Sequence, residues 1–126
     1  MPFETAFGDG LQPLYAVKAD LFKGLAHPVR IRLLELLCAA DEVPVGALIE
    51  ATGLEPSHVS QHLLVLRRFS LVQSDRRGNV VWYRIAHSEV TELLSVARAL
   101  LAAVTAGRRD VALAADRLPQ LTTEVQ

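Results

Sequence analysis

Ser57, His58, Ser60 and Gln61 fall within five consecutive positions. Hydroxyl, imidazole and carboxamide groups suit the reading of base edges: Gln can hold adenine with two hydrogen bonds, and Ser or His can reach other edges of the major groove. Five arginines (67, 68, 76, 77 and 84) lie between Pro56 and Ile85, with Asp75 as the one acid among them. That segment carries an excess of four positive charges, whereas the rest of the chain has five more acids than bases and the whole is at −1. Positive potential confined to one part of a chain is a footprint for an anion. Arg67, Arg68, Arg76 and Arg77 are placed to neutralise phosphates, with Asn79 beside them, so the expected interface is Ser57, His58, Ser60, Gln61, Arg67, Arg68, Arg76, Arg77 and Asn79.

Other chemistry is weaker. His58 and His62 have the i, i+4 spacing of a metal-binding helix face, but two ligands make no site, and no neighbouring Glu or Cys adds a third. They read as packed or groove-facing histidines. His87 and Glu89 are the weak candidates for a metal, with a simpler reading as helix-start residues. Cys38, the single cysteine, reads as a small buried residue near a helix end. No nucleophile, base and orienter set and no Gly-rich phosphate loop is present, so an enzyme is not expected.

The elements that must position these groups follow from periodicity. Leu14, Val17, Leu21, Phe22 and Leu25 share one helical face. His27-Pro28 breaks that helix and starts a second, in which Ile31, Leu34 and Leu37 repeat at three, Leu33 and Leu36 widen the stripe, and Asp41-Glu42 marks the end. Pro44 is expected to open a short third helix with Val45, Leu48 and Ile49, ended by a left-handed cap at Gly53. Glu55-Pro56 starts a fourth, with Val59, Leu63 and Leu66 inward and the polar set outward. Two short helices across a tight turn are helix-turn-helix geometry.

Beyond Leu71 the pattern becomes β. Leu71 to Ser74 and Val80 to Ile85 read as two strands, with Asp75-Arg76-Arg77-Gly78 as the turn and arginines at its tip. A last long helix, capped by Ser88, carries Val90, Leu93, Leu94, Ala97, Leu100, Leu101 and Val104. The fold class is therefore mainly α with a small β-hairpin wing, a winged helix-turn-helix in the order ααααββα. The expected division is a loose arm at 1–12, a domain at 13–106 and a C-terminal extension at 107–126, where Arg108 and Arg109 lie and a helical stretch runs from Asp110 to Leu118.

Composition sets the frame. A chain of 126 residues has room for one domain, and 51% hydrophobic against 21% charged residues is enough to build a core. The longest uncharged stretch, Pro56 to Leu66, is 11 residues, against about 20 for a membrane helix. No membrane partner is expected, and the acid-bearing N-terminus lacks the pattern of a secretory signal. A cytoplasmic location is the expectation, which the single cysteine also suits.

Three segments, LAHPVRIRLLELL from Leu25, SHVSQHLLVLR from Ser57 and GNVVWYRI from Gly78, resemble the ArsR/SmtB family of bacterial transcriptional regulators. The likeness spans roughly Leu14 to Leu101. It implies a homodimer, formed through the first and last helices, that binds double-stranded operator DNA with the fourth helix and the wing. It further implies that many relatives release DNA on binding a metal ion. One family metal site uses thiols near the third helix, and Pro44 stands at the usual ligand position here. The other uses the last helix: His87 and Glu89 fall at its first pair, but Leu100 and Ala103 at its second. Ser70 stands where the family commonly has Gly. The expectation is a repressor that occludes a promoter with no cofactor. The alternatives are a nickel- or zinc-responsive regulator of the same fold, or a winged helix kept as a protein-interaction module.

Overall fold

The computed structural model describes residues 7–8 and 10–106. Its order is α1 (Leu14–Leu25), α2 (Pro28–Cys38), β1 (Val43–Pro44), α3 (Val45–Thr52), α4 (Pro56–Arg68), β2 (Val72–Arg77), β3 (Val80–Ile85) and α5 (Ser88–Val104). Among the described residues no helix is long and apolar enough to cross a membrane. The expected extension at 107–126, with Arg108 and Arg109, lies outside the described residues, as does most of the expected arm.

Helix boundaries follow local chemistry. Pro28 and Pro56 occupy first-turn positions, where a missing N–H costs nothing. The His27 Nδ1 accepts from the Val29 N–H at 3.1 Å and so caps α2. The Asp41-Glu42 boundary gives way to an earlier one, α2 ending at Cys38. Ser88 is not the cap of α5, because His87 holds the N-cap position with extended backbone and Ser88 is already helical.

Val29, Leu33, Leu34 and Leu37 of α2, Leu48 of α3 and Val59, Leu63 and Leu66 of α4 are fully buried. Leu25, Leu54, Leu71, Val72 and Val90 close the core around them. The inward stripe expected of α4 is thus the one observed. In α2 the fully buried positions shift toward Val29 and Leu33, with Ile31 and Leu36 half-buried beside them.

Two expectations about the β elements are corrected. Pro44 opens α3 as its N-cap residue, as expected, but with Val43 it also forms an unforeseen two-residue strand paired to β3, Val43 opposite Tyr83 and Pro44 opposite Trp82. The sheet therefore has three strands in the order β1-β3-β2. A proline is tolerated there because β1 is an edge. Secondly, the hairpin turn is Gly78-Asn79, not Asp75 to Gly78: β2 runs on to Arg77, which faces Val80. Gly78 has φ 63 and Asn79 does not share a positive φ, the pattern of a two-residue turn with Gly first. Asp75, Arg76 and Arg77 are strand residues whose side chains alternate between faces.

Ser70 has φ 59, the one positive φ among the described non-glycine residues. It follows the α4 cap, with its N–H on the Arg67 carbonyl at 2.9 Å and the Leu71 N–H on the Leu66 carbonyl at 3.0 Å. These are the paired bonds of a Schellman ending, in which Gly is the usual residue at this place. A serine there costs roughly 1 kcal/mol relative to glycine.

Candidate nucleic-acid interface

The turn before α4 is held from within. Gly53 supplies a left-handed φ of 70, and Thr52, fully buried, donates its hydroxyl to the Ile49 carbonyl at 3.1 Å while accepting from the Leu54 N–H at 3.4 Å. Leu54 then plugs the core. Thr52 was missed by the sequence reading, and its place directly before the capping Gly53 is the one signal there was for it.

On the outer side of α4, Ser57, Ser60 and Gln61 are exposed, and Arg67 and Arg68 stand exposed at its C-terminal end. His58 is half-buried at the flank, and its Nδ1 is buried without a hydrogen-bond partner among the described residues. The structure thus groups Ser57, Ser60 and Gln61 with the two arginines on one face and turns His58 partly away from it.

His62 lies one turn further along the same flank as His58 and works as an anchor. Its ring contacts that of His27 at a centroid distance of 4.2 Å, and Arg30 Nη1 is 3.4 Å from its Nδ1. Arg30 also donates from Nε to the Gly24 carbonyl at 2.6 Å and from Nη2 to the Lys23 carbonyl at 3.1 Å. One guanidinium therefore joins the end of α1 and the start of α2 to the middle of α4. Burial, and then the neighbouring His27, Arg30 and His58, lower the His62 pKa to about 4. Burial and Arg30 lower that of His27 as well.

A pH dependence follows. The unfolded chain takes up the His62 proton near 6.5 and the folded chain only near 4, so the contribution is complete above about pH 6.5 and is lost as pH falls toward 4. Discounted for the partial exposure of the ring, it is on the order of 1 kcal/mol. Thermal melts at pH 7 and pH 5 should show a fall that shrinks in His62→Gln. An equal fall in the variant would show that His62 is not the titrating group.

At the wing, Arg76 and Asn79 are exposed, and Arg76 Nε bonds to the Gly78 carbonyl at 3.3 Å within its own turn. Arg77 is engaged differently. Its two terminal nitrogens each lie 2.7 Å from a Glu42 carboxylate oxygen, its Nε is 3.1 Å from Asp75 Oδ2, and it lies over the Trp82 ring at 5.1 Å. The hydrogen bond from Arg77 holds the Glu42 carboxyl below the usual carboxylate range, and the two acids raise the Arg77 pKa in return. Arg77 thus ties the wing to the segment before β1 rather than standing as a free cation at the tip. Nothing in the sequence signalled Glu42, 35 positions away.

His87 and Glu89 are both exposed at the start of α5. Among the described residues no three His, Cys, Asp or Glu side chains come together as a metal site. Leu100 and Ala103 offer no donor atom at the second pair, so these residues do not fit the last-helix metal site of the resemblance. Cys38 accepts a 3.2 Å hydrogen bond from the Thr91 hydroxyl and is half-buried, close to the expected packing role.

Comparison with known proteins gives a consistent picture. The family described as "Bacterial regulatory protein, arsR family" matches residues 27–74, from the α2 cap into β2. An uncharacterized HTH-type transcriptional regulator of Mycobacterium tuberculosis, Rv0081, is 51% identical over 98 residues, covering 77% of this chain and 85% of that one. The crystal structure of Rv0081 superposes with a TM-score of 0.71 at 49% identity, over 78% of this chain and 98% of that chain. The crystal structure of the AntR antimony-specific transcriptional repressor gives 0.64 at 31% identity, over 76% and 87%.

Proposed function

Since the chain belongs to the ArsR family of bacterial regulatory proteins and is a DNA-binding transcriptional regulator rather than an enzyme, we propose that it binds its operator as a homodimer and represses by covering the promoter. The observation that carries this reading is the uncovered polar face of α4: Ser57, Ser60 and Gln61 stand outward over a fully buried Val59, Leu63 and Leu66. A helix so mounted can enter the major groove with its base-reading side chains forward. Arg67, Arg68 and Arg76 then meet phosphates and fix its position, with Asn79 at the wing tip and His58 at the flank. Arg77 serves this interface through the wing, which it braces against Glu42.

One helix per chain reads one half-site, so specificity asks for two copies about one turn of DNA apart, ~34 to 36 Å. The apolar side chains left exposed on α1 and α5, among them Leu14, Phe22, Leu100 and Val104, are the surface on which a second copy fits. The reading uses no metal. Operator binding indifferent to excess nickel or zinc is expected, and a change on adding either would favour the metal-responsive alternative.

The decisive experiment is an anisotropy titration on the protein's own promoter region with wild type and Gln61→Ala. The substitution is expected to cost ~1 to 3 kcal/mol and to relax discrimination at one base position. Equal weakening on every sequence removes Gln61 from base reading. No specific binding at any salt concentration moves the basic face to a protein partner.

A further inference from the structure

Beside the α4 face lies an open pocket of about 530 Å³, between the C-terminal end of α4, the outer edge of β2 and the start of α5. Arg67, Arg84, His87, Ser70, Gln73 and Ser74 contribute to its lining, and no carboxylate does. We propose that this pocket is a binding site for a phosphate-bearing anion.

The case begins with charge. Arg77 is matched by Glu42 and Asp75, Arg32 lies 3.6 Å from Glu35, and Arg30 is spent on two carbonyls and His62. Arg67 and Arg84 are in no ion pair among the described residues, Arg84 acting on Glu42 only at longer range, and both line the same pocket. Two guanidiniums that share a pocket with no carboxylate in its lining repel one another until an anion joins them, and the His87 imidazole adds a further hydrogen-bonding group. Guanidinium forks match the oxygens of a phosphate closely.

Neutral donors complete the arrangement. Gln73 stands directly across from Arg84 in the sheet, and β2 is an edge strand with no neighbour on its outer side. Ser70 adds a hydroxyl from a position of φ 59 that glycine would occupy without strain. Strain held at a site lined by cations is the pattern of a functional position. The volume lies within the ~300 to 1,000 Å³ usual for small-molecule sites, so it exceeds a lone phosphate and suits a phosphorylated small molecule.

Arg67 is also a proposed operator contact. An anion in the pocket therefore competes with DNA for that side chain and lowers operator affinity, a consequence that rests on the DNA reading, whereas anion binding itself does not.

The test uses the full chain and two probes, inorganic phosphate and inorganic pyrophosphate, titrated by calorimetry at constant ionic strength. Saturable binding is expected, tighter for pyrophosphate and weakened at least tenfold in Arg84→Gln. Ser70→Gly is expected to weaken binding severalfold while raising the melting temperature, so loss of binding is not loss of fold. In parallel, the salt dependence of operator binding is measured for wild type and Arg84→Gln. Saturable probe binding lost in Arg84→Gln supports the site with a free anion as its ligand. No probe binding, with a salt slope smaller by about 1 in Arg84→Gln, supports it with a DNA backbone phosphate as the source. Absence of both effects overturns the proposal. Pyrophosphate binding by a protein that binds no operator overturns the DNA reading and leaves the pocket standing.

Discussion

Replacing Leu100 and Val104 together with glutamate is expected to separate the proposed dimer into folded monomers and to lower operator affinity at least a hundredfold. Ten large hydrophobic side chains are exposed among the described residues, and eight of them (Leu11, Leu14, Tyr15, Phe22, Val96, Leu100, Leu101 and Val104) lie on α1 and α5 or just before α1. That concentration decides between a scattered apolar surface, which needs no explanation, and an interface. Leu100 is 61% and Val104 70% exposed, so charging them removes nothing from the core of the single chain. In a dimer each such side chain contributes about 1.5 to 3 kcal/mol when buried, and a carboxylate in its place must be desolvated. Losing the partner leaves one helix to bind one half-site, and the linkage between two half-sites is worth roughly 10² to 10⁴ in affinity. Light scattering reports the mass, circular dichroism the fold and anisotropy the operator affinity. A variant that remains dimeric, or a monomer that binds as tightly as wild type, sinks the assignment of this surface.

The second large effect is on stability. Gly24 is buried near the end of α1, and a Cβ added to it would stand 2.6 to 2.8 Å from three ring atoms of Phe69, the residue that caps α4. Real carbon contacts do not come so close, so the ring or the helix must move. The ring has little room to yield, because Phe7 meets it edge-on at 5.3 Å and an interplanar angle of 89°. Moving α1 instead pulls the Gly24 carbonyl from Arg30, and with it the anchor on His62. Gly24→Ala is therefore expected to destabilise by about 3 kcal/mol, at the upper end for overpacking. That corresponds to a fall in melting temperature of roughly 4 to 8 °C per kcal/mol in a domain of this size. If the clash is the cause, Phe69→Leu should cost less in the Gly24→Ala background than in wild type, a coupling that a double-mutant cycle measures. A Gly24→Ala protein within about 0.5 kcal/mol of wild type contradicts the close packing of α1 on α4.

Both predictions draw on features that differ in how far the sequence revealed them. The apolar stripes of α1 and α5 were visible as periodicity, but a stripe looks the same whether it meets the chain's own core or a second copy. Only the fold shows that Leu33, Leu34, Leu63 and Leu66 are fully enclosed while Leu14, Leu100 and Val104 face outward. Gly24 carried no signal, because a glycine inside a helix reads as a small loss of propensity until the ring packed against it is known.

What the sequence determined by itself is local. Pro28 and Pro56 set the starts of α2 and α4, Gly53 the turn between α3 and α4, and Val59, Leu63 and Leu66 the inward side of α4. Its outward set, Ser57, Ser60 and Gln61, followed from the same periodicity. These features depend on backbone geometry within a few residues, which neighbouring side chains dictate. The tertiary structure decided the rest. It paired Val43-Pro44 with β3, clasped Arg77 with Glu42, drew His62 against His27 and Arg30, and brought Arg67, Arg84 and His87 to one pocket. Each of those arrangements includes residues at least 17 positions apart in the chain. Whether a charge is free or matched depends on which distant groups the packing of the core carries to within a few ångströms of it, and no local pattern encodes that distance.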